Sequence, residues 1–160
     1  MKLLFFIPVV IMTCYLSATI GYFGIPKSIS DTYYLWKDKK YCKFLFTFVM
    51  WSVGIPVMIY WISVSKPILQ CLPFLSISGM LFVGGACAFK ETLTKEVHYA
   101  SAGVWAAFAV LYFVLTQSWI AILLGAVIGL LGYMLNCNKN FTFWAELACV
   151  IMMIVGIFCL

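Results

Sequence analysis

The stretch Ala121-Ile-Leu-Leu-Gly-Ala-Val-Ile-Gly-Leu-Leu131 is apolar on every side, with no polar residue at either a two-residue or a helical spacing. A strand of a transmembrane barrel alternates apolar and polar positions, so this run reads as a helix that meets no water. Backbone N–H and C=O groups in hydrocarbon must pair within their own segment, and a spanning helix therefore needs about 20 mostly apolar residues. Extended outward, the run gives a helix over 119–135, and windows of the same kind fill the chain. Hydrophobic residues make up 66% and charged residues 9% of the 160, with a mean hydropathy of +1.10, against roughly 45–50% and 25% in soluble domains. That composition excludes a water-soluble globule. It predicts an all-α fold, a polytopic transmembrane helix bundle of six spans forming one domain over 1–160.

The six expected helices cover 3–23, 44–64, 68–89, 98–115, 119–135 and 141–160. The first holds Pro8, and Ser17 four residues before Gly21, a small-residue face suited to packing. It lacks a small-x-small cleavage pattern, and Cys14 lacks the small residue before it that a lipoprotein signal needs, so it reads as a retained helix. Pro56 predicts a kink in the second helix. Gly84 and Gly85 in the third, and Gly125, Gly129 and Gly132 in the fifth, permit close approach of a neighbouring helix or of a second copy of the chain. Thr116-Gln117-Ser118 is barely a turn and makes the fourth and fifth helices an antiparallel hairpin. No internal repeat marks an inverted-repeat transporter.

All ten basic residues are lysines. Loops one, three and five carry Lys27, Lys37, Lys39, Lys40, Lys43, Lys90, Lys95 and Lys139, whereas only Lys2 and Lys66 fall on the opposite side. Short lysine-rich loops stay in the cytoplasm. The expected location is the inner membrane of a bacterial cell, multi-pass, with both termini periplasmic. The net charge of +5 is scattered over short loops, forms no continuous basic surface, and so argues against nucleic acid as a partner. Membrane lipids, a protein partner or a second copy of the chain are the expected partners.

Polar residues are few and unevenly placed. Loop one, 24–43, contains Gly24-Ile-Pro-Lys-Ser-Ile-Ser-Asp-Thr-Tyr-Tyr34, in which Ser28 or Ser30 caps a short interfacial helix carrying Tyr33, Tyr34 and Trp36 at headgroup depth. Ser28, Ser30, Asp31, Tyr33 and Tyr34 from this loop, Lys90, Glu91 and His98 around loop three, and Glu146 in the last helix all fall at one end of the bundle and form the candidate polar site. Glu146 is its sharpest member, because an acid at membrane depth is costly and faces the bundle or a wet cavity. The simpler alternative pairs Glu146 with Lys139, Lys90 or Lys43 near the headgroups, makes His98 a capping or interfacial group at a helix start, and makes the tyrosines and Trp36 an interface belt.

No metal or cofactor is expected. Seven cysteines are scattered without a C-x-x-C pair, mostly inside helices, where they serve as small apolar residues. The sequon Asn140-Phe141-Thr142 lies at the cytoplasmic membrane edge, and no G-x-S-x-G, H-E-x-x-H, P-loop or G-x-G-x-x-G occurs.

At Gly24-Ile-Pro-Lys-Ser-Ile-Ser-Asp-Thr-Tyr-Tyr and Lys95-Glu-Val-His-Tyr-Ala-Ser-Ala the chain resembles a group of small six-helix membrane proteins of Bacteroides and its relatives. More distantly, the Pro-x-x-Ile-Ser element and the His98 helix start look like those of DRAM-type membrane proteins. The resemblance implies a six-helix bundle with Ser28, Ser30 and His98 near one membrane face, and no particular chemistry. Membrane hydrolases of the alkaline ceramidase and adiponectin-receptor type hold zinc with three histidines, which a chain whose one histidine is His98 does not supply. The expected function is a non-catalytic membrane scaffold or accessory protein with a polar site at the cytoplasmic face, more an interaction protein than an enzyme. The alternatives are a small transporter or channel using Glu146 and His98, and a metal-independent lipid-modifying enzyme with His98 as base.

Overall fold

The computed structural model describes residues 2–37, 44–86, 91–136 and 140–160. Among these every regular element is helical: α1 (Lys2–Phe23), α2 (Thr32–Lys37), α3 (Leu45–Val64), a 3-10 turn (Pro67–Leu69), α4 (Cys71–Gly85), α5 (Glu91–Leu115), α6 (Trp119–Asn136) and α7 (Phe141–Phe158). Five stretches, Phe5–Phe23, Leu45–Val64, Pro67–Gly85, Glu96–Leu115 and Phe141–Phe158, are long and apolar enough to cross a membrane. The sixth, α6, has 18 residues and is about 27 Å long at 1.5 Å per residue, the short end of the spanning range. The chain is thus a polytopic transmembrane helix bundle.

Two helix starts differ from the sequence expectation by three residues or more, each for a local reason, and the expected end of the third helix at 89 lies outside the described residues. The 3-10 turn opens on Pro67, and α4 starts only at Cys71. Pro73 then lies in the first turn of α4, where backbone N–H groups have no helical acceptor, so its missing donor costs nothing. α5 begins at Glu91, not at His98: the charged stretch read as a loop continues the helix out of its apolar part.

Consecutive spans run antiparallel, so the first turn of α1 and the last turn of α7 share one end of the bundle. There the Phe6 and Phe158 rings meet edge to face at 6.4 Å, and the Ser65 and Tyr112 hydroxyls bond at 2.8 Å. Close packing joins α4 to α5 and to α3, α6 to α7, and α1 to α3. In lipid the association of helices relies on van der Waals fit and small residues more than on hydrophobic burial. The α4–α5 seam shows this: a Cβ at Gly79 would stand 2.7 Å from both the Ser101 carbonyl oxygen and the Trp105 nitrogen. Trp61 is wholly buried, stacked on Phe113 at 5.3 Å and edge-on to Tyr112. Gly125, Gly129 and Gly132 face Met152, Ala148 and Trp144 of α7, so the small-residue face of α6 is used inside the chain. Gly84 leaves room for Met50, whereas nothing lies within 4 Å of a Cβ at Gly85.

Candidate functional site

At the end of the bundle opposite the chain termini, loop one folds back over α7. Gly24, with φ of 78°, ends α1 in the left-handed conformation, its N–H bonded to the Ile20 carbonyl at 2.9 Å. The chain then crosses the start of α7. The Asn140 amide donates to the Ile25 carbonyl at 3.3 Å and the Phe143 N–H to the Lys27 carbonyl at 3.0 Å. Phe143 is in the first turn of α7, so a loop carbonyl satisfies a helix donor that has no partner in its own helix.

Next comes a tight turn built by hydroxyls. The Ser28 Oγ accepts the Asp31 N–H at 2.9 Å and lies 2.9 Å from the Ser30 Oγ, and the Thr32 hydroxyl donates to the Ile29 carbonyl. This turn presents two donors to one acid on α7: the Ile29 N–H reaches Glu146 Oε2 at 2.5 Å, and the Ser30 hydroxyl reaches Oε1 at 3.4 Å. From α5, His98 Nε2 stands 4.0 Å from Glu146 Oε1, and the two side chains are 17% and 15% exposed. The helix α2 that follows is tied down on α1. Tyr15 donates to the Thr32 Oγ1 at 2.5 Å, the Trp36 indole N–H to the Thr19 Oγ1 at 3.0 Å, and the Thr19 hydroxyl to the Tyr15 carbonyl at 2.8 Å.

The structure therefore brings together Ser28, Ser30, His98 and Glu146 from loop one, α5 and α7. Asp31 takes part through its backbone N–H. Tyr33 is buried and Tyr34 is 53% exposed, so only the second faces outward as an interface residue would. Trp36 is half-buried, its ring against Tyr22 and Phe23. His98 is corrected from a residue at a helix start to one within α5, facing Glu146. Lys43, Lys90 and Lys139, the expected partners of Glu146, lie outside the described residues, as does the Glu91 side chain. Tyr15, Thr19 and Thr32 were not singled out in the sequence. Tyr15 and Thr19 stand four apart and hence on one face of α1, the signal that could have found them.

Space beside the carboxylate is small. A pocket of about 10 Å³, bordered by Met12, Phe46, Trp105 and Val150, touches Ser30 and Glu146, room for about one water. Among the described residues no three His, Cys, Asp or Glu side chains gather as a metal site. A larger apolar cleft of about 330 Å³ lies between α1 and α7, separated from the carboxylate by Met12 and Val150.

No family description, curated protein or solved structure matches this chain.

Proposed function

We infer that this chain is a non-catalytic scaffold or accessory protein of a bacterial inner membrane, with both termini periplasmic, that presents a folded loop one to a partner at the cytoplasmic face. The observation that carries this reading is the use made of Glu146. Both carboxylate oxygens accept hydrogen bonds from loop one, and the pocket beside them holds about 10 Å³, too little for a substrate. The acid fastens a loop to the bundle and gives that loop one shape. The eight-to-two lysine distribution supports the orientation. The kinship with small six-helix Bacteroides-type proteins, and distantly with DRAM-type ones, belongs to the same proposal. It rests on the two sequence motifs at Gly24–Tyr34 and Lys95–Ala102.

One observation favours a second reading, a small transporter or channel: the two groups that would carry protons, His98 and Glu146, face each other at 4.0 Å. Reconstitution separates the two. The purified chain in vesicles, with and without Glu146→Gln, is assayed for proton and cation flux, and loop one is replaced by a Gly-Ser segment in a pull-down from the native membrane. The scaffold reading expects no flux from either form and loss of a co-purifying protein with the loop. Flux that vanishes in Glu146→Gln would transfer the assignment to the channel. A change in bound lipids that stops in His98→Ala would transfer it to a lipid-modifying enzyme.

A further inference from the structure

We propose that the cleft between α1 and α7 is a binding site for one acyl chain of an anionic glycerophospholipid, whose phosphate is held at Lys27. The two helices are linked near both ends, through loop one at one end and through a ring contact at the other, and parted between. At one end the Lys27 carbonyl accepts the Phe143 N–H at 3.0 Å, and at the other the Phe6 and Phe158 rings meet at 6.4 Å. The gap between is the cleft of about 330 Å³.

Its dimensions suit a single leaflet. The wall on α1 runs from Met12 to Ile20 and the wall on α7 from Phe143 to Ile154, about 12 and 16 Å at 1.5 Å per residue. Half of a hydrocarbon core of about 30 Å is about 15 Å. Short side chains hollow the α1 wall at Thr13 and Ser17, while Leu147, Val150 and Ile151 make the opposite wall apolar. The cleft thus runs from the loop-one end toward the middle of the bilayer.

Charge at the mouth selects the headgroup. Ile25 and Phe143 line the cleft at its loop-one end, and Phe143 is bonded to the Lys27 backbone, which puts the exposed Lys27 at headgroup level. A lysine near a membrane surface attracts anionic lipid. Occupancy by a second copy of this chain fits less well, because a helix is about 10 Å across with its side chains and the joined ends leave it no entry.

Native mass spectrometry of the full chain, with phosphatidylglycerol or phosphatidylcholine of identical acyl chains added to the detergent, tests this. The wild type is expected to retain one phosphatidylglycerol in preference to phosphatidylcholine. Lys27→Gln should cut that preference about fivefold, and Ser17→Trp, which fills the cleft, should abolish retention of both lipids. A second measurement guards against a Ser17→Trp chain that fails to fold: brominated phosphatidylglycerol should quench tryptophan fluorescence more than brominated phosphatidylcholine, with the difference lost in Trp144→Phe. Absence of a retained lipid, retention undiminished in a folded Ser17→Trp, equal quenching by the two lipids, or a lipid-free dimer would each overturn the proposal.

Discussion

Replacing Glu146 by Leu and by Gln asks two different questions of one side chain. Leucine leaves the Ile29 N–H without its acceptor in a part-buried site, a loss of about 1–3 kcal/mol for an orphaned polar group, while the Ser30 hydroxyl keeps the Ser28 Oγ. Glutamine keeps a carbonyl oxygen for Ile29 and an amide that the Ser30 oxygen can accept. The expected result in detergent is a clear fall in melting temperature for Glu146→Leu, a smaller one for Glu146→Gln, and faster proteolysis within loop one for the first alone. Equal losses in the two variants would mean that charge, not shape, holds the loop. Thr32→Val makes an independent probe: it removes the acceptor of the Tyr15 hydroxyl and the donor to the Ile29 carbonyl. It should cost about 1 kcal/mol in thermal unfolding, with α2 the first element to lose protection in hydrogen exchange.

Among the elements, α4 and α5 provide the sharpest packing test. Gly79→Ala sets a methyl 2.7 Å from two backbone atoms of α5, which no rotamer change relieves, whereas Gly85→Ala enters open space. Overpacking of this kind costs about 1–3 kcal/mol, so the first variant should melt lower and the second no lower than wild type. Equal melting would mean that the two helices sit farther apart. The helices themselves were legible because hydropathy and small-residue spacing are local, and the Gly125 to Gly132 spacing marks a contact face without naming its partner, α7. The early start of α5 was hidden because Glu91 to Val97 leaves the apolar window while staying helical. The polar site was half legible. Residue type marked Ser28, Ser30, His98 and Glu146, but the bond from Ile29 to Glu146 joins positions 117 apart through a backbone N–H, and a backbone group has no signature in a side-chain sequence.

For the whole molecule, the orientation in the bilayer rests on lysines that lie at the two ends of the bundle. Lys27 follows α1 at the loop-one end and Lys66 precedes the 3-10 turn at the end shared by the termini. Moving a lysine side chain through hydrocarbon costs about 3 kcal/mol or more on insertion scales, so the eight-to-two split expected from the order of the loops biases insertion toward one outcome. Single-cysteine variants Lys27→Cys and Lys66→Cys, made in a chain whose own seven cysteines are replaced by Ala or Ser, report it with a membrane-impermeant thiol reagent. In intact spheroplasts Lys66→Cys should label and Lys27→Cys should not, and inverted vesicles should give the reverse. Labelling of both positions from one side would break the antiparallel order of the spans, and the reversed pattern would place loop one and the mouth of the α1–α7 cleft in the outer leaflet. The headgroup preference assigned to Lys27 would then act on the lipids of that leaflet, so the labelling result decides which membrane surface the folded loop presents to a partner.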